Sequence, residues 1–246
     1  MPRFFVRSDR VLDGQISIIG EDAHHIARSL RMAVGDELTV CDMQGNEYSC
    51  EIASFDDDRE VIVNILSAQR SENEPKLFIR LFQALPKGDK LDTIIQKAVE
   101  CGVSEIIPFQ SERCVVRIKN DAEDRKNDRR QRIAAEAAKQ CGRSVIPEVK
   151  SAMSFDMAIS SAVDSDLCLF CYEGDGTKGL GEILRELEEL PKIISIVIGS
   201  EGGFSQNEVK KAIEKGAVLT GLGKRILRTE TASSFVLACL VCASEL

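Results

Sequence analysis

Hydrophobic and polar residues alternate in short runs through the N-terminal part of the chain. Four runs rich in β-branched and apolar residues are bounded by glycine, asparagine and aspartate positions that favour turns: QISIIG, DELTVCD, EYSCEIASF and EVIVNIL. A helix is predicted after the first run, where Asp22 can cap AHHIARSLRM and place Ile26 and Leu30 on one face. The pattern predicts a small β-barrel module over residues 1–72, followed by a linker, SENEP, that ends at Pro75.

The spacing of hydrophobic and polar residues changes after the linker, where short apolar runs alternate with helical stretches. The apolar runs are LFIRLFQAL, EIIPF, LCLFCY, IISIVIG and AVLTGLG. The predicted helices are DKLDTIIQKAVECG, DAEDRKNDRRQRIAAEAAKQCG, LGEILRELEEL, SQNEVKKAIEKG and the C-terminal segment. Alternation of strands and helices predicts an α/β fold over residues 76–246, with a mostly parallel sheet covered on both faces. Ligands of such sheets bind where loops leave the carboxyl ends of the strands.

One of these loops, within IVIGSEGGFSQNEV at 196–209, combines glycines with a carboxylate. Its glycines permit close backbone approach and are Gly199, Gly202 and Gly203. Ser205 and Glu208 have the spacing of a capping box for the next helix. The turn could serve only as a flexible connection, but Glu201 would repel a pyrophosphate, which disfavours a dinucleotide site. A carboxylate here suits ribose hydroxyls, an amine or a cation, so we expect a nucleoside with a positive centre and no phosphates.

Two further loops carry unusual chemistry, YEGDGTKGLG at 172–181 and GLGKRILRTETASS at 221–234. The second contains Lys224, Arg225 and Arg228, which favour an anionic partner, although Arg228 could instead pair with Glu230. The last helix, TASSFVLACLVCASEL, is apolar nearly all round, so it must be buried in a core or against another subunit. This pattern predicts a homodimer.

Composition narrows the class of protein. The net charge of −8 argues against a general nucleic-acid coat, but residues 113–143 hold ten Lys/Arg against five Asp/Glu. That run is either a local binding patch or a solvated helix face. Nine cysteines, an odd number, indicate a reducing compartment, and the absence of a signal-like or membrane-spanning pattern predicts a cytoplasmic protein. The C-x-x-C pairs Cys168/Cys171 and Cys239/Cys242 lie in a predicted strand and helix, so no metal site is expected.

Four segments together resemble one family of RNA-modifying enzymes. In chain order they are LPKGDKLDTIIQKAVECGVSEIIPFQSERCVV, AAKQCGR, IGSEGGFSQNEV and LGKRILRTETA. They look like the ribosomal RNA small-subunit uracil-N3-methyltransferases of the SPOUT class, and the β-rich N-terminus is similar to that family's PUA-like, RNA-binding barrel. The chain departs from the family's usual residues in having Ser200 where proline is more common and Cys141 where serine is.

The resemblance implies a function, a fold and partners. The function is S-adenosylmethionine-dependent methylation of N3 of a uridine in 16S rRNA of the small ribosomal subunit, uridine 1498 in the family's naming. The implied fold has a C-terminal trefoil knot, and the implied assembly is a homodimer. S-adenosylmethionine is a nucleoside with a sulfonium cation and no phosphate, which agrees with a glycine turn that holds a carboxylate.

The resemblance also assigns residues to roles. The donor-binding positions are Tyr172, Glu173, Ile198, Gly199, Glu201, Gly202, Gly203, Leu222, Gly223, Arg225, Ile226, Leu227, Thr231 and Ala232. Loss of the N3 proton leaves negative charge on the uracil oxygens, so Arg225 and Arg228 are the candidate catalytic residues, with Glu201 as a proton acceptor. The expected phosphate contacts are Arg3, Arg7, Arg10, Arg28 and Arg31 of the barrel, with Arg113 and Arg143 of the basic run.

Two other functions remain open at this stage. A different nucleotide-binding α/β enzyme would need a phosphate turn, and LPKGDKLD has neither a GxGxxG pattern nor a P-loop ending. An RNA-binding module with a catalytically degenerate α/β domain would bind RNA without binding a methyl donor.

Overall fold

The chain divides into two compact units, each with its own sheet. The computed structural model describes residues 1–56, 59–118 and 120–245, so Lys119 of the basic run and Leu246 lie outside the described residues. The first unit comprises Met1–Glu74 with Ala138–Ile146, and the second comprises Pro75–Ala137 with Pro147–Leu246.

The first unit is built on a mostly antiparallel sheet that confirms the predicted barrel-like module. Its strands are β1 (Arg3–Phe5), β2 (Val11–Leu12), β3 (Gln15–Ile19), β4 (Glu37–Cys41), β5 (Asn46–Asp56) and β6 (Glu60–Arg70). They lie in the order β1-β4-β5-β6-β3-β2, and only the pairing of β1 with β4 is parallel. Register shifts along β5 mark bulges, which increase the twist of the sheet around its core. Inward-facing residues of alternate positions fill that core, among them Ile16, Ile18, Val61 and Val63.

The helix of this unit differs from the prediction. It consists of α1 (Glu21–His24) followed by a π-helical turn, His25–Ser29. Gly20 occupies the N-cap position and Asp22 lies inside the first turn, where its carboxylate accepts a hydrogen bond from Lys139 Nζ at 2.9 Å. Ile26 is buried, but Leu30, which was predicted on the same face, is 41% exposed because the helix has already ended at Ser29. The prediction of Asp22 as the cap was therefore wrong, and the helix ends before Leu30 instead of extending through Met32.

The second unit has a parallel sheet with helices, as the alternating pattern predicted. Its strands are β7 (Phe78–Ala84), β8 (Glu105–Gln110), β9 (Glu148–Val149), β10 (Met153–Ser154), β11 (Leu167–Cys171), β12 (Lys178–Gly179), β13 (Ile193–Ile198) and β14 (Val218–Gly221). The helices that follow the linker are α2 (Lys90–Glu100), α3 (Asn120–Cys141), α4 (Phe155–Ala162), α5 (Leu180–Glu186), α6 (Gln206–Glu214) and α7 (Thr229–Glu245). Helix α4 was not predicted from the sequence, although Ser154 caps it by accepting a hydrogen bond from the Met157 amide.

The strand order places a crossover at the centre of this sheet. The order is β10-β8-β7-β13-β11-β14-β12, and β13 pairs in parallel with both β7 and β11. The chain first places β8 and β10 on one side of β7. It then crosses to the other side, where β13 pairs with β7, so the direction in which strands are added reverses between β7 and β13. Crevices that bind ligands form at such reversals, beyond the carboxyl ends of the strands.

The last helix, α7, has one buried face and one exposed face. Val236, Leu237 and Leu240 are fully buried, whereas Phe235 is 40% exposed. No helix in the part of the chain that the structure describes is long and apolar enough to cross a membrane.

Candidate active site

A cleft of about 430 Å³ lies at the carboxyl ends of β11, β13 and β14. Three loops and the starts of α2 and α7 form its walls. Predicted donor-binding residues that line it are Tyr172, Glu173, Ile198, Gly199, Glu201, Gly203, Leu222, Gly223, Arg225, Ile226, Leu227 and Ala232. The structure thus brings together segments that are far apart along the chain, since Lys90, Tyr172 and Ala232 line the same space.

The glycine turn after β13 is shaped by close packing. A Cβ at Gly199 would lie 3.2 Å from the Phe204 ring and 3.3 Å from the Gly203 Cα, and Gly203 itself has a φ of 63°. Side chains are disfavoured at both positions because of crowding at the first and the left-handed backbone at the second. The predicted capping box then starts α6, with the Ser205 hydroxyl accepting from the Glu208 amide and the Glu208 carboxylate accepting from the Ser205 amide.

Glu201 is engaged by the segment that precedes α2. Its carboxylate accepts hydrogen bonds from Lys90 Nζ at 2.7 Å and from the Lys87 amide at 3.2 Å. Partial burial by itself raises the pKa of Glu201, but the hydrogen bonds from Lys90 and from backbone amides outweigh it, so the pKa lies below the ordinary value. Glu201 therefore remains ionised and is a weak proton acceptor, and it ties the loop after β7 to the glycine turn.

Lys90 is a residue of this cleft that the sequence analysis did not identify. Its ammonium lies 2.7 Å from Glu201 in the glycine turn and 3.8 Å from Glu230 in the first turn of α7, so it stands between carboxylates of two different elements. Those partners are more than one hundred positions away along the chain, and only the fold reveals that they meet. The one local signal was the position of Lys90 at the start of a predicted helix.

The loop after β14 presents cations to the cleft. Lys224, Arg225 and Arg228 are exposed and line it, and Ile226 between them is 81% exposed. The alternative pairing of Arg228 with Glu230 is not formed, because the cation near Glu230 is Lys90. Among the described residues, neither Arg225 nor Arg228 has a carboxylate partner. Their charges are available to an anionic ligand.

Tyr172 is held over the loop that follows β11. A Cβ at Gly174 would lie only 2.3 Å from the Tyr172 ring, so the ring packs directly on the backbone there. The Tyr172 hydroxyl accepts a hydrogen bond from Gln206 Nε2 at 3.0 Å, and the Tyr172 amide donates to the Thr220 carbonyl at 3.0 Å. These contacts fix one wall of the cleft against the neighbouring strand and helix.

The arginines predicted to contact RNA fall into two groups. Arg7, Arg10, Arg28 and Arg31 are exposed on the first unit, and Arg113 is exposed on the second, where it donates to the Gly202 carbonyl at 3.1 Å.

Arg3 and Arg143 are placed differently and require a correction. The Arg3 guanidinium donates to Glu47 at 2.8 Å, and the buried Arg143 guanidinium donates to Glu74 at 2.8 Å. Because both charges are used inside the first unit, these two arginines are poor candidates for phosphate contacts. The basic run is also interrupted, since the buried Arg130 pairs with Glu123 at 2.5 Å.

The two C-x-x-C pairs lie in the strand and in the helix that were predicted for them. Cys168 is in β11, where burial raises the pKa of its thiol to about 12, and Cys239 and Cys242 are in α7. The described part of the chain contains no cluster of three or more histidine, cysteine, aspartate or glutamate residues that could hold a metal ion.

Comparison with known proteins identifies the family. The family model of an RNA methyltransferase domain matches residues 72–241, and that of an RNA methyltransferase PUA domain matches residues 18–66. The ribosomal RNA small subunit methyltransferase E of Bacillus subtilis is 38% identical over 94% of this chain and 91% of its own length. The chain belongs to the ribosomal RNA small subunit methyltransferase E family. The family predicted from the sequence motifs is therefore confirmed.

Solved structures of similar methyltransferases agree with this assignment. The enzyme from Neisseria gonorrhoeae, solved bound to S-adenosyl methionine, has a TM-score of 0.84 and 28% identity, covering 98% of this chain and 96% of its own. A methyltransferase from Legionella pneumophila, solved with the cofactor SAM, has a TM-score of 0.86 and 30% identity, covering 98% and 97%. These likenesses confirm the α/β domain and the PUA-like module, while the trefoil knot stays a prediction.

Two positions that the methyltransferase E resemblance assigned to donor binding lie outside the cleft lining. Gly202 faces the other way, and a Cβ there would lie 3.0 Å from the Arg113 Cβ. Thr231 is exposed on α7, whereas its neighbour Ala232 points into the cleft. Gly202 thus serves the packing of Arg113 against the turn.

Proposed function

We propose that the protein transfers a methyl group from S-adenosylmethionine to N3 of a uridine in 16S rRNA of the small ribosomal subunit, uridine 1498 in the family's naming. The observation that carries this proposal is the cleft itself, where a glycine turn with an ionised carboxylate faces a loop whose arginines have no carboxylate partner among the described residues. The relatives solved with S-adenosylmethionine support the choice of donor.

The residues of the cleft fit a nucleoside donor. Ser200 lines the cleft, and its buried Oγ has no hydrogen-bond partner among the described residues, so it can serve a polar group of a ligand. Tyr172 and Glu173 would hold the donor on one side, and the backbone of Gly199 and Gly203 on the other. When bound, S-adenosylmethionine supplies an electrophilic methyl group on a cationic sulfur. The negative charge of Glu201 is compatible with that cation and unfavourable to a pyrophosphate.

The arginines of the loop after β14 are suited to stabilise the charge that develops on uracil during the reaction. The attacking N3 must lose its proton, and the charge that remains spreads onto the two ring oxygens. Arg225 and Arg228 can stabilise that charge in the way that an oxyanion hole does. Glu201 is less suited to accept the proton, because hydrogen bonds from Lys90 and Lys87 already occupy its carboxylate. We therefore assign Glu201 to shaping the cleft.

We also assign RNA binding to the N-terminal barrel, residues 1–72, and catalysis to residues 76–246, although residues 138–146 pack with the first unit. The N3 atom lies on the pairing edge of uracil, so the target must be unpaired or turned outward. Arg7, Arg10, Arg28 and Arg31 are exposed on the first unit and would contact phosphates around such a base.

A homodimer is proposed on the exposed face of α7. Phe235, Ala238 and Cys242 are exposed there, opposite the face that is buried in the second unit. An apolar helix face of this kind is covered in most proteins by another subunit or domain.

Transfer of a labelled methyl group tests the proposed function. Purified protein is incubated with S-adenosylmethionine carrying a radiolabelled methyl group and with small ribosomal subunits that lack the modification. We expect label in 16S rRNA for the wild-type chain and a strongly reduced rate for Arg225→Ala/Arg228→Ala. If the wild-type protein binds rRNA but transfers no label and shows no thermal shift with millimolar donor, it is an RNA-binding module instead.

A further inference from the structure

A buried amide side chain lies directly beneath the cleft. Gln83 is the next-to-last residue of β7 and is 0% exposed, as are its neighbours Phe82 and Ala84. In the sheet it pairs with Ile198, the residue that precedes the glycine turn. The side chain does not line the cleft and none of the roles described above uses it.

Gln83 begins a short chain of hydrogen bonds that leads into the cleft. Its Nε2 donates to Thr229 Oγ1 at 2.9 Å, and the Thr229 hydroxyl donates to the Gly199 carbonyl at 2.7 Å. The direction of the chain is fixed at both ends. Gln83 Nε2 also donates to the Ala84 carbonyl at 2.9 Å, and a carbonyl can only accept, so the NH₂ group must point this way.

The arrangement leaves one polar atom of Gln83 without a partner. Its Oε1 is buried and has no hydrogen-bond partner among the described residues. An unsatisfied buried acceptor destabilises a fold, and an apolar side chain of the same size would avoid this penalty. Packing of the strand therefore does not explain a glutamine at this position. Its hydrogen bond to Thr229 does, because that hydroxyl touches the glycine turn.

We propose that Gln83 is a positioning residue for donor binding, acting through Thr229 on the Gly199 carbonyl. The hydrogen-bond chain joins the end of β7, the start of the glycine turn and the first residue of α7. Thr229 and Gly199 both line the cleft, so two of its loops are held in place before a ligand arrives. Such preorganisation increases affinity by reducing the entropy lost on binding. The inference rests on the proposed function, since it takes S-adenosylmethionine as the ligand.

The variant Gln83→Met tests this role. It retains the length of the side chain and removes both the amide donor and the unpartnered oxygen. We expect the Kd and KM for S-adenosylmethionine to rise about five- to tenfold, the effect of one lost hydrogen bond. We expect kcat at saturating donor to stay within about twofold and Tm to shift by less than about 4 °C. The matched control is Ser195→Ala. Ser195 lies in β13 of the same sheet, away from the cleft, and the substitution removes a buried hydroxyl that contacts the Ser165 hydroxyl.

A double-mutant cycle shows whether Gln83 acts through Thr229. Thr229→Val removes the hydroxyl, and we expect donor affinity to fall by at least as much as in Gln83→Met. The double variant should bind donor no more weakly than Thr229→Val alone, because the second substitution then removes nothing further. Thr229→Ser retains the hydroxyl and should restore affinity to within about twofold of wild type, which keeps the test decisive if Gln83→Met does not fold.

Three outcomes would overturn the inference. Wild-type affinity in Gln83→Met, fully additive losses in the double variant, or an equal loss of affinity in Ser195→Ala would each exclude a positioning role. The proposed function fails in a different way, since wild-type protein would then show no binding of S-adenosylmethionine at all.

Discussion

Replacing Gly174 with alanine should displace the Tyr172 ring from the wall of the cleft without unfolding the protein. The new Cβ would lie 2.3 Å from Tyr172 Cε1, 2.6 Å from Cζ and 2.7 Å from the hydroxyl oxygen. Ordinary contacts of this kind begin near 3.4 Å, so the ring must move by about 1 Å or more. That movement breaks the hydrogen bond from Gln206 to the Tyr172 hydroxyl.

The size of the effect follows from these losses. One hydrogen bond contributes about 0.5–1.5 kcal/mol, and the displaced ring loses packing on the cleft side as well. We expect donor affinity to fall by about 1–2 kcal/mol, which is about five- to thirtyfold in Kd. Stability should change less, because Tyr172 is only partly buried.

The assay can use the protein's own fluorescence. The chain contains no tryptophan and two tyrosines, so Tyr48→Phe leaves Tyr172 as the only strong intrinsic emitter. Titration of this background with S-adenosylmethionine reports binding at the Tyr172 wall, and calorimetry gives an independent Kd. The matched control is Gly179→Ala, where the φ is −65° and the nearest atom lies 4.0 Å from the new Cβ. Equal donor affinity for Gly174→Ala and Gly179→Ala would refute the assignment of Tyr172 to the donor site.

Four more predictions address the charges of the molecule. Lys90→Met should raise the pKa of Glu201 and move the acid limb of donor binding to higher pH, which a series of titrations across pH would detect. The pKa of Glu201 is lower in the folded protein than in the unfolded chain, so the ionised carboxylate stabilises the fold above the ordinary carboxylate pKa. This stabilisation is lost as the pH falls through the folded pKa. Glu201→Gln should therefore flatten the dependence of the free energy of unfolding on pH in this range, measured by urea unfolding. Arg228→Ala should slow single-turnover methylation at saturating donor by about 10²-fold or more, and an unchanged rate would remove this residue from the chemistry. Replacing Arg7 and Arg31 with alanine should weaken RNA binding and reduce the steepness of its salt dependence, and identical salt slopes would show that these side chains do not contact phosphates.

The sequence predicted most of the fold because the local patterns were unambiguous. β-branched runs bounded by turn residues marked β3 to β6, and Ser205 with Glu208 marked the start of α6. The pattern failed where a local rule competed with the surrounding structure. Asp22 has the chemistry of a helix cap, but Gly20 takes that position and the Asp22 carboxylate bonds to Lys139 instead.

The loops of the candidate site were predicted from the sequence, whereas the residues that hold these loops in place were missed. Glycines and charged residues in the turns after β13 and β14 are visible in the sequence, and the structure brings them into one cleft. Lys90 and Gln83 were missed because their partners are distant along the chain, and a glutamine inside an apolar run resembles any other strand residue. Arg3 and Arg143 were assigned to RNA for a related reason, since sequence alone does not reveal that Glu47 and Glu74 already hold them.

The most direct test of the account is the position of the methyl group on the RNA. 16S rRNA from small subunits treated with the protein and S-adenosylmethionine is digested, and its modified nucleosides are mapped by mass spectrometry. We expect a single new 3-methyluridine in the small-subunit rRNA. A methyl group on a ribose hydroxyl, on another base atom or on another base, or no methylation at all, would contradict it.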